Sequence, residues 1–175
     1  MTVALPLAQS LLACLEDSLT VNPPAQVCLR AGEFVNPQIS TTEDECCSGL
    51  AWVRIVGTDP LILRGQEDLT FGCFNHMRAT VLEMGVVRCM PTPDADTLVS
   101  CDQWTALTAQ MEADHTAMEA ALCCLRELVR GGTVPAITDV ALYVGEYAPR
   151  GPDGRCLGAT LAVRAEHGCS CGSGG

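Results

Sequence analysis

Residues 100–132, "SCDQWTALTAQMEADHTAMEAALCCLRELVRGG", decide the fold class. Trp104, Leu107, Met111, Met118, Leu122, Leu125 and Val129 recur at helical spacing and form one apolar stripe. Ser100 with Gln103 three residues on is a capping box, which satisfies backbone N–H groups that the first turn leaves open. Gly131 and Gly132 supply the stop. A helix of this length takes a large share of a chain of 175 residues. What flanks it must bury the stripe.

Upstream, "NHMRATVLEMGVVRCM" (75–90) is rich in β-branched residues and closes at Pro91 and Pro93, so it reads as a long strand. Gly85 within it suggests a bend or bulge. "GLAWVRIVG" (49–57) is a second strand, ended by "TDP". Its parity puts Leu50, Trp52 and Arg54 on one face and Ala51, Val53 and Ile55 on the other. "QVCLRAGEFV" (26–35) is a shorter strand. Residues 61–74 read as a loop. At the N-terminus, Leu7, Leu11, Leu12, Leu15 and Leu19 mark an amphipathic helix over 5–19, stopped by the paired prolines of "VNPPAQ". Downstream, residues 139–168 read as a β-hairpin turning at "PRGPDGR" (149–155). The expectation is α+β: a small antiparallel sheet packed against an N-terminal helix and one long central helix, closed by a C-terminal hairpin. One domain spans 1–166, and 167–175 forms a flexible Gly/Ser/Cys tail.

Composition narrows function. The net charge is −11 and every one of the ten basic residues is arginine. The arginines are scattered, so no basic patch for nucleic acid is present. No stretch reaches transmembrane length. The N-terminal apolar stretch lacks a positive leader and runs into Glu16 and Asp17, which argues against a signal peptide and for a cytosolic folding compartment. In that compartment the twelve cysteines stay reduced. Cys14, Cys28, Cys73, Cys89 and Cys124 then read as small buried hydrophobes. Cys46 and Cys47 are adjacent, so on a strand they point to opposite faces and cannot share an ion. His167, Cys169 and Cys171 lie close in sequence, but a Cys-x-Cys pair in a glycine-rich tail lacks a second ligand pair, and a flexible tail is favoured over a metal site. Cys123 shares a polar helix face with Glu112, Thr116, Glu119, Arg126 and Arg130, where an outward thiol suits a subunit contact. His115 reads as a core-edge histidine bonded to a local carboxylate such as Glu119 or to backbone, and Asp114 as an ordinary solvated acid. No nucleotide-binding, metallopeptidase or serine-hydrolase motif occurs. The reading is therefore a non-enzyme without a cofactor.

Four stretches, taken in order, carry a resemblance. They are the N-terminal helix with "AQVCLRAGEFV" (25–35); "DECCSGLAWVRIVGTDP" (44–60); "MRATVLEMGVVRCMPTP" (77–93) leading to "QWTALTAQMEADHTAMEAALCCL" (103–125); and "VGEYAPRGPDGRCLGATLAVRAE" (144–166). Together they resemble the tail terminator proteins of long-tailed bacteriophages, in particular those infecting high-GC actinobacteria. The resemblance implies a structural virion protein that forms a hexameric ring at the head-proximal end of the tail. Such a ring ends tail tube polymerisation and joins tail to head. Its implied partners are further copies of the chain, the tail tube protein and the head-completion proteins of the neck. Genome DNA passes through the channel without specific binding. The implied location is the virion, with host cytoplasm during assembly and no membrane. Interface candidates are Arg64, Cys123, Arg150 and Arg155, on or near the loop 61–74, the central helix and the hairpin tip. A head-completion or stopper protein of the neck is the nearest alternative. A cytosolic cysteine-rich thiol or metal-binding module is the alternative from another class.

Overall fold

A computed structural model describes residues 3–31, 48–60, 77–91, 93, 98–134, 140–153 and 155–168. Among them are seven elements: α1 (Ala4–Ser18), β1 (Gln26–Arg30), β2 (Leu50–Pro60), β3 (Met77–Cys89), α2 (Cys101–Arg130), β4 (Ala141–Asp153) and β5 (Cys156–Gly168). The strands form one sheet in the order β1-β2-β3-β5-β4. The α+β expectation holds, with both helices packed against the sheet.

The sheet is mixed, which departs from the all-antiparallel expectation. β1 pairs with β2 in parallel, whereas β2–β3, β3–β5 and β5–β4 are antiparallel. β1 and β2 are separated by a long connection rather than a tight turn, and a long connection permits the parallel pairing that a hairpin forbids. β2 also runs past the expected stop, through "TDP" to Pro60. A register shift lies between Ile55 and Gly57 in β2, not at Gly85. Gly85 instead sits in regular register opposite Trp52. A Cβ there would lie 2.5 Å from Trp52 Cζ2, so the missing side chain is the space the indole occupies.

Strand parity divides the sheet into two faces. Ala51, Val53, Leu82, Met84, Val86, Ala159, Leu161, Val163 and Ala165 line the helix-covered face and are buried. Leu7, Leu11, Leu15 and Leu19 of the α1 stripe meet Met118, Ala121, Leu122 and Leu125 of α2 over that face, in one cluster. Trp104 departs from the expected stripe and is 42% exposed. The capping box on Ser100 and Gln103 forms as expected. No described helix is long and apolar enough to cross a membrane.

α1 and α2 are joined covalently. Cys14 and Cys124 form a disulfide with Cα atoms 5.8 Å apart. Cys89 is likewise disulfide-bonded, as is Cys156. The reading of Cys14, Cys89 and Cys124 as reduced hydrophobes is thereby corrected. Cys14 and Cys124 lie where two apolar stripes converge, so the geometry that buries them also brings them within bonding range. Cys28 is free. Cys46, Cys47 and Cys73 lie outside the described residues.

Candidate interaction surface

Two polar arrangements, each built on a buried pair, fix the frame. Arg88, near the end of β3, reaches α2 and meets Asp114 with Nε 2.9 Å from Oδ2 and Nη2 2.6 Å from Oδ1. Its Nη1 donates to the carbonyl of Asn22 at 2.8 Å. Asn22 Nδ2 donates to Gln110 Oε1 at 2.6 Å, and Gln110 Nε2 donates back to Asp114 at 3.3 Å. The four residues close a ring that ties the chain after α1 to α2 and β3. Asp114 is therefore a buried ion-pair partner and not a solvated acid. One residue on, His115 stacks on Tyr147 of β4 with ring centroids 3.9 Å apart. Its Nε2 lies 3.6 Å from Glu119, a partner expected from the sequence. Burial, with the charges of Asp114 and then Glu112, raises the Tyr147 phenol above its ordinary value of 10.0.

The second arrangement is at the far end of β3. Thr80 and His167 are both buried, and Thr80 Oγ1 lies 2.9 Å from His167 Nε2. His167 Nδ1 lies 3.1 Å from the carbonyl oxygen of Gly168. The sequence reading gave His167 to the tail. It lies within β5 because β3 continues far enough to pair with it, Arg78 opposite His167. Both ring nitrogens have protein partners, so this histidine is a satisfied structural group. Cys169 and Cys171 lie outside the described residues.

The interface candidates separate onto different surfaces. Cys123 is an exposed free thiol on the outer side of α2. Arg150 is on the face that neither described helix covers, where its Nε donates to Thr160 Oγ1 at 3.3 Å. Arg155 is exposed beside the β4–β5 turn, and its carbonyl accepts from Met90 N at 2.7 Å. Cys123 and Arg150 thus lie on opposite sides of the layers, so no single patch contains all the candidates. Arg64 and the rest of the loop 61–74 lie outside the described residues.

A different feature emerges at the α2 flank. A cleft of about 340 Å³ opens between the C-terminal turns of α2 and the start of β4. Val129, Val140 and Leu142 give it an apolar floor, and Arg126, Arg130 and Tyr143 stand at its rim. Arg130 pairs with Glu127 at 3.1 Å, but both side chains are largely solvated. Arg126 makes no ion pair among the described residues. The sequence placed both arginines on the polar side of the helix. What it could not supply was the start of β4 beside them, because that neighbour comes from tertiary packing. Beyond the cleft, β4 is an edge strand with Tyr143 and Val144 about half exposed. β1 is the opposite edge, with Leu29 exposed.

No protein-family model matches the chain, and no curated protein matches its sequence.

Proposed function

We propose that the chain is a structural subunit of a phage virion. Six copies form a ring at the head-proximal end of the tail, stop polymerisation of the tail tube, and join the tail to the neck of the head. The chain works by recognition: one face of the ring meets the last tube ring, the other meets the head-completion proteins, and the genome passes through the channel. It assembles in the host cytoplasm and functions in the particle.

The observation that carries this reading is the unlikeness of the two flanks. A closed ring needs heterologous contacts, in which two different patches of one subunit meet. This sheet ends in two different edges, a short parallel β1 and a long antiparallel β4, each beside a different helix. The four-stretch resemblance described above points the same way. Net negative charge suits a DNA conduit, since acidic groups repel phosphates and discourage sticking.

A capping assay tests it. Tail tube protein is polymerised from a seed, and the chain is added well below the tube subunit concentration. Elongation stops if the reading is right. Tubes that lengthen at the untreated rate contradict it, and a chain that binds only preformed neck complexes supports the head-completion alternative.

A further inference from the structure

We infer that copies of this chain associate side by side, with the cleft beside Arg126 and Arg130 of one copy receiving the α1 flank around Glu16 of the next. The inference rests on the ring reading in taking a second copy as the partner.

The Cys14–Cys124 disulfide marks where α1 and α2 face each other. Residues two apart on a helix point about 200° apart. Glu16 follows Cys14 by two and Arg126 follows Cys124 by two. Glu16 therefore points away from α2, and Arg126 away from α1. The helices run antiparallel, since Cys14 meets Cys124 while Asn22 meets Gln110. At 1.5 Å rise per residue the two charges then lie within about 6 Å of the same level. α1 packs on β2 and β1, α2 on β5 and β4, and the two helices share the central β3. Glu16 and Arg126 accordingly stand on opposite flanks of one layer, at matched height and with opposite sign.

The apolar surroundings match as well. Leu5 and Leu12 share the Glu16 side of α1 by helical spacing; Leu5 is about half exposed, and Leu12 is partly buried against the core. Leu5 and the uncovered part of Leu12 give this side apolar surface beside an acid. The cleft offers the converse, an apolar floor beside two arginines. Among the described residues Glu16 has no ion-pair partner, and neither does Arg126. In a chain of net charge −11, a rim with two arginines is the place where another acidic copy is attracted rather than repelled. Because the patches differ and sit on opposite flanks, each copy keeps one free cleft and one free α1 flank, and association continues until a ring closes. An isologous pair would leave like charges facing.

Charge swaps test the contact, with assembly followed by sedimentation velocity and native mass spectrometry. The variants are Glu16→Arg and the double variant Arg126→Glu/Arg130→Glu. All three positions are exposed, so both variants fold, which the circular dichroism spectrum checks. Each alone places like charges in the contact, and the concentration needed for assembly rises at least about tenfold. An equimolar mixture restores opposite charges at every junction, and assembly returns to within about threefold of wild type. Wild-type assembly by either variant alone, absence of rescue in the mixture, or a wild-type chain that stays monomeric would each overturn the inference. Rescue into an open chain or a ring of another size leaves the contact standing and removes the six-fold ring reading instead.

Discussion

Arg88 holds Asp114 through two parallel bonds, Nε to Oδ2 at 2.9 Å and Nη2 to Oδ1 at 2.6 Å, with both side chains almost out of solvent. This fork is a planar fit that lysine could not reproduce. Removing one partner leaves the other charge buried and unpaired. Asp114→Ala should therefore lower unfolding stability by about 3 kcal/mol or more. Replacing both, Arg88→Met with Asp114→Leu, should recover most of that loss. Urea unfolding of the single and double variants measures it. A double variant no better than the worse single would show that the surrounding ring of Asn22 and Gln110 matters more than the pair.

Gly85 and Trp52 form the second test. Gly85→Ala puts a methyl group into the indole, at 2.5 Å from Cζ2 and 2.8 Å from Cε2. Overpacking of this kind costs about 1–3 kcal/mol. Trp52 is buried and Trp104 is exposed, so the change should appear as a red shift of the blue-side tryptophan emission. An unchanged spectrum at full stability would mean that the indole has room to move aside.

The disulfide between Cys14 and Cys124 spans 110 residues of sequence. A loop of that size gives up about 4–5 kcal/mol of denatured-state entropy on closure in the chain-entropy account. The disulfides at Cys89 and Cys156 already restrict the chain, so the loss in the Cys14→Ala/Cys124→Ala variant should be about 2–4 kcal/mol. Peptide mapping under non-reducing conditions should recover residues 14 and 124 in one cross-linked fragment. Recovery of both as free thiols would contradict the pairing.

Tyr147 links stability to alkaline pH. Its folded-state phenol titrates above the ordinary 10.0, mainly because it is buried and next because Asp114 and Glu112 are near. The unfolded chain then releases this proton first, so the folded state binds more protons over that window. Stability consequently falls as pH rises from the ordinary value toward the raised one, and is unaffected well below it. In Tyr147→Phe, denaturant midpoints should decline less steeply above pH 10. An equal decline in both proteins would assign the effect to other groups.

Cys123 stands one helical turn before Arg126, beside the contact inferred above, and Cys101 is exposed near the start of the same helix. At 1.5 Å per residue they are about 33 Å apart. A maleimide should label both in the monomer. On assembly Cys123 should be protected and Cys101 should not. Equal labelling of Cys123 in both states would place it outside the interface.

Much of the fold was readable because it rests on periodicity. The leucines at 7, 11, 15 and 19, the alternation at 159, 161, 163 and 165, and the Ser100 capping box all announce themselves locally. What escaped depends on partners far away in the chain. Asp114 reads as a surface acid until Arg88 arrives from β3. Cys14 and Cys124 read as apolar fillers until two helices bring them together. β1 reads as one more antiparallel strand, because pairing direction is set by the connection and not by the strand. The cleft at Arg126 was illegible for the same reason: its walls come from α2 on one side and from the chain entering β4 on the other.

The most direct test of the proposed function is where the chain sits in an intact particle. An image reconstruction of the virion should show a single six-fold ring of this fold at the joint between head and tail, with its α1 and α2 flanks in contact around the circumference. Density for the chain along the tube, on the capsid surface, or nowhere in the particle would contradict the account.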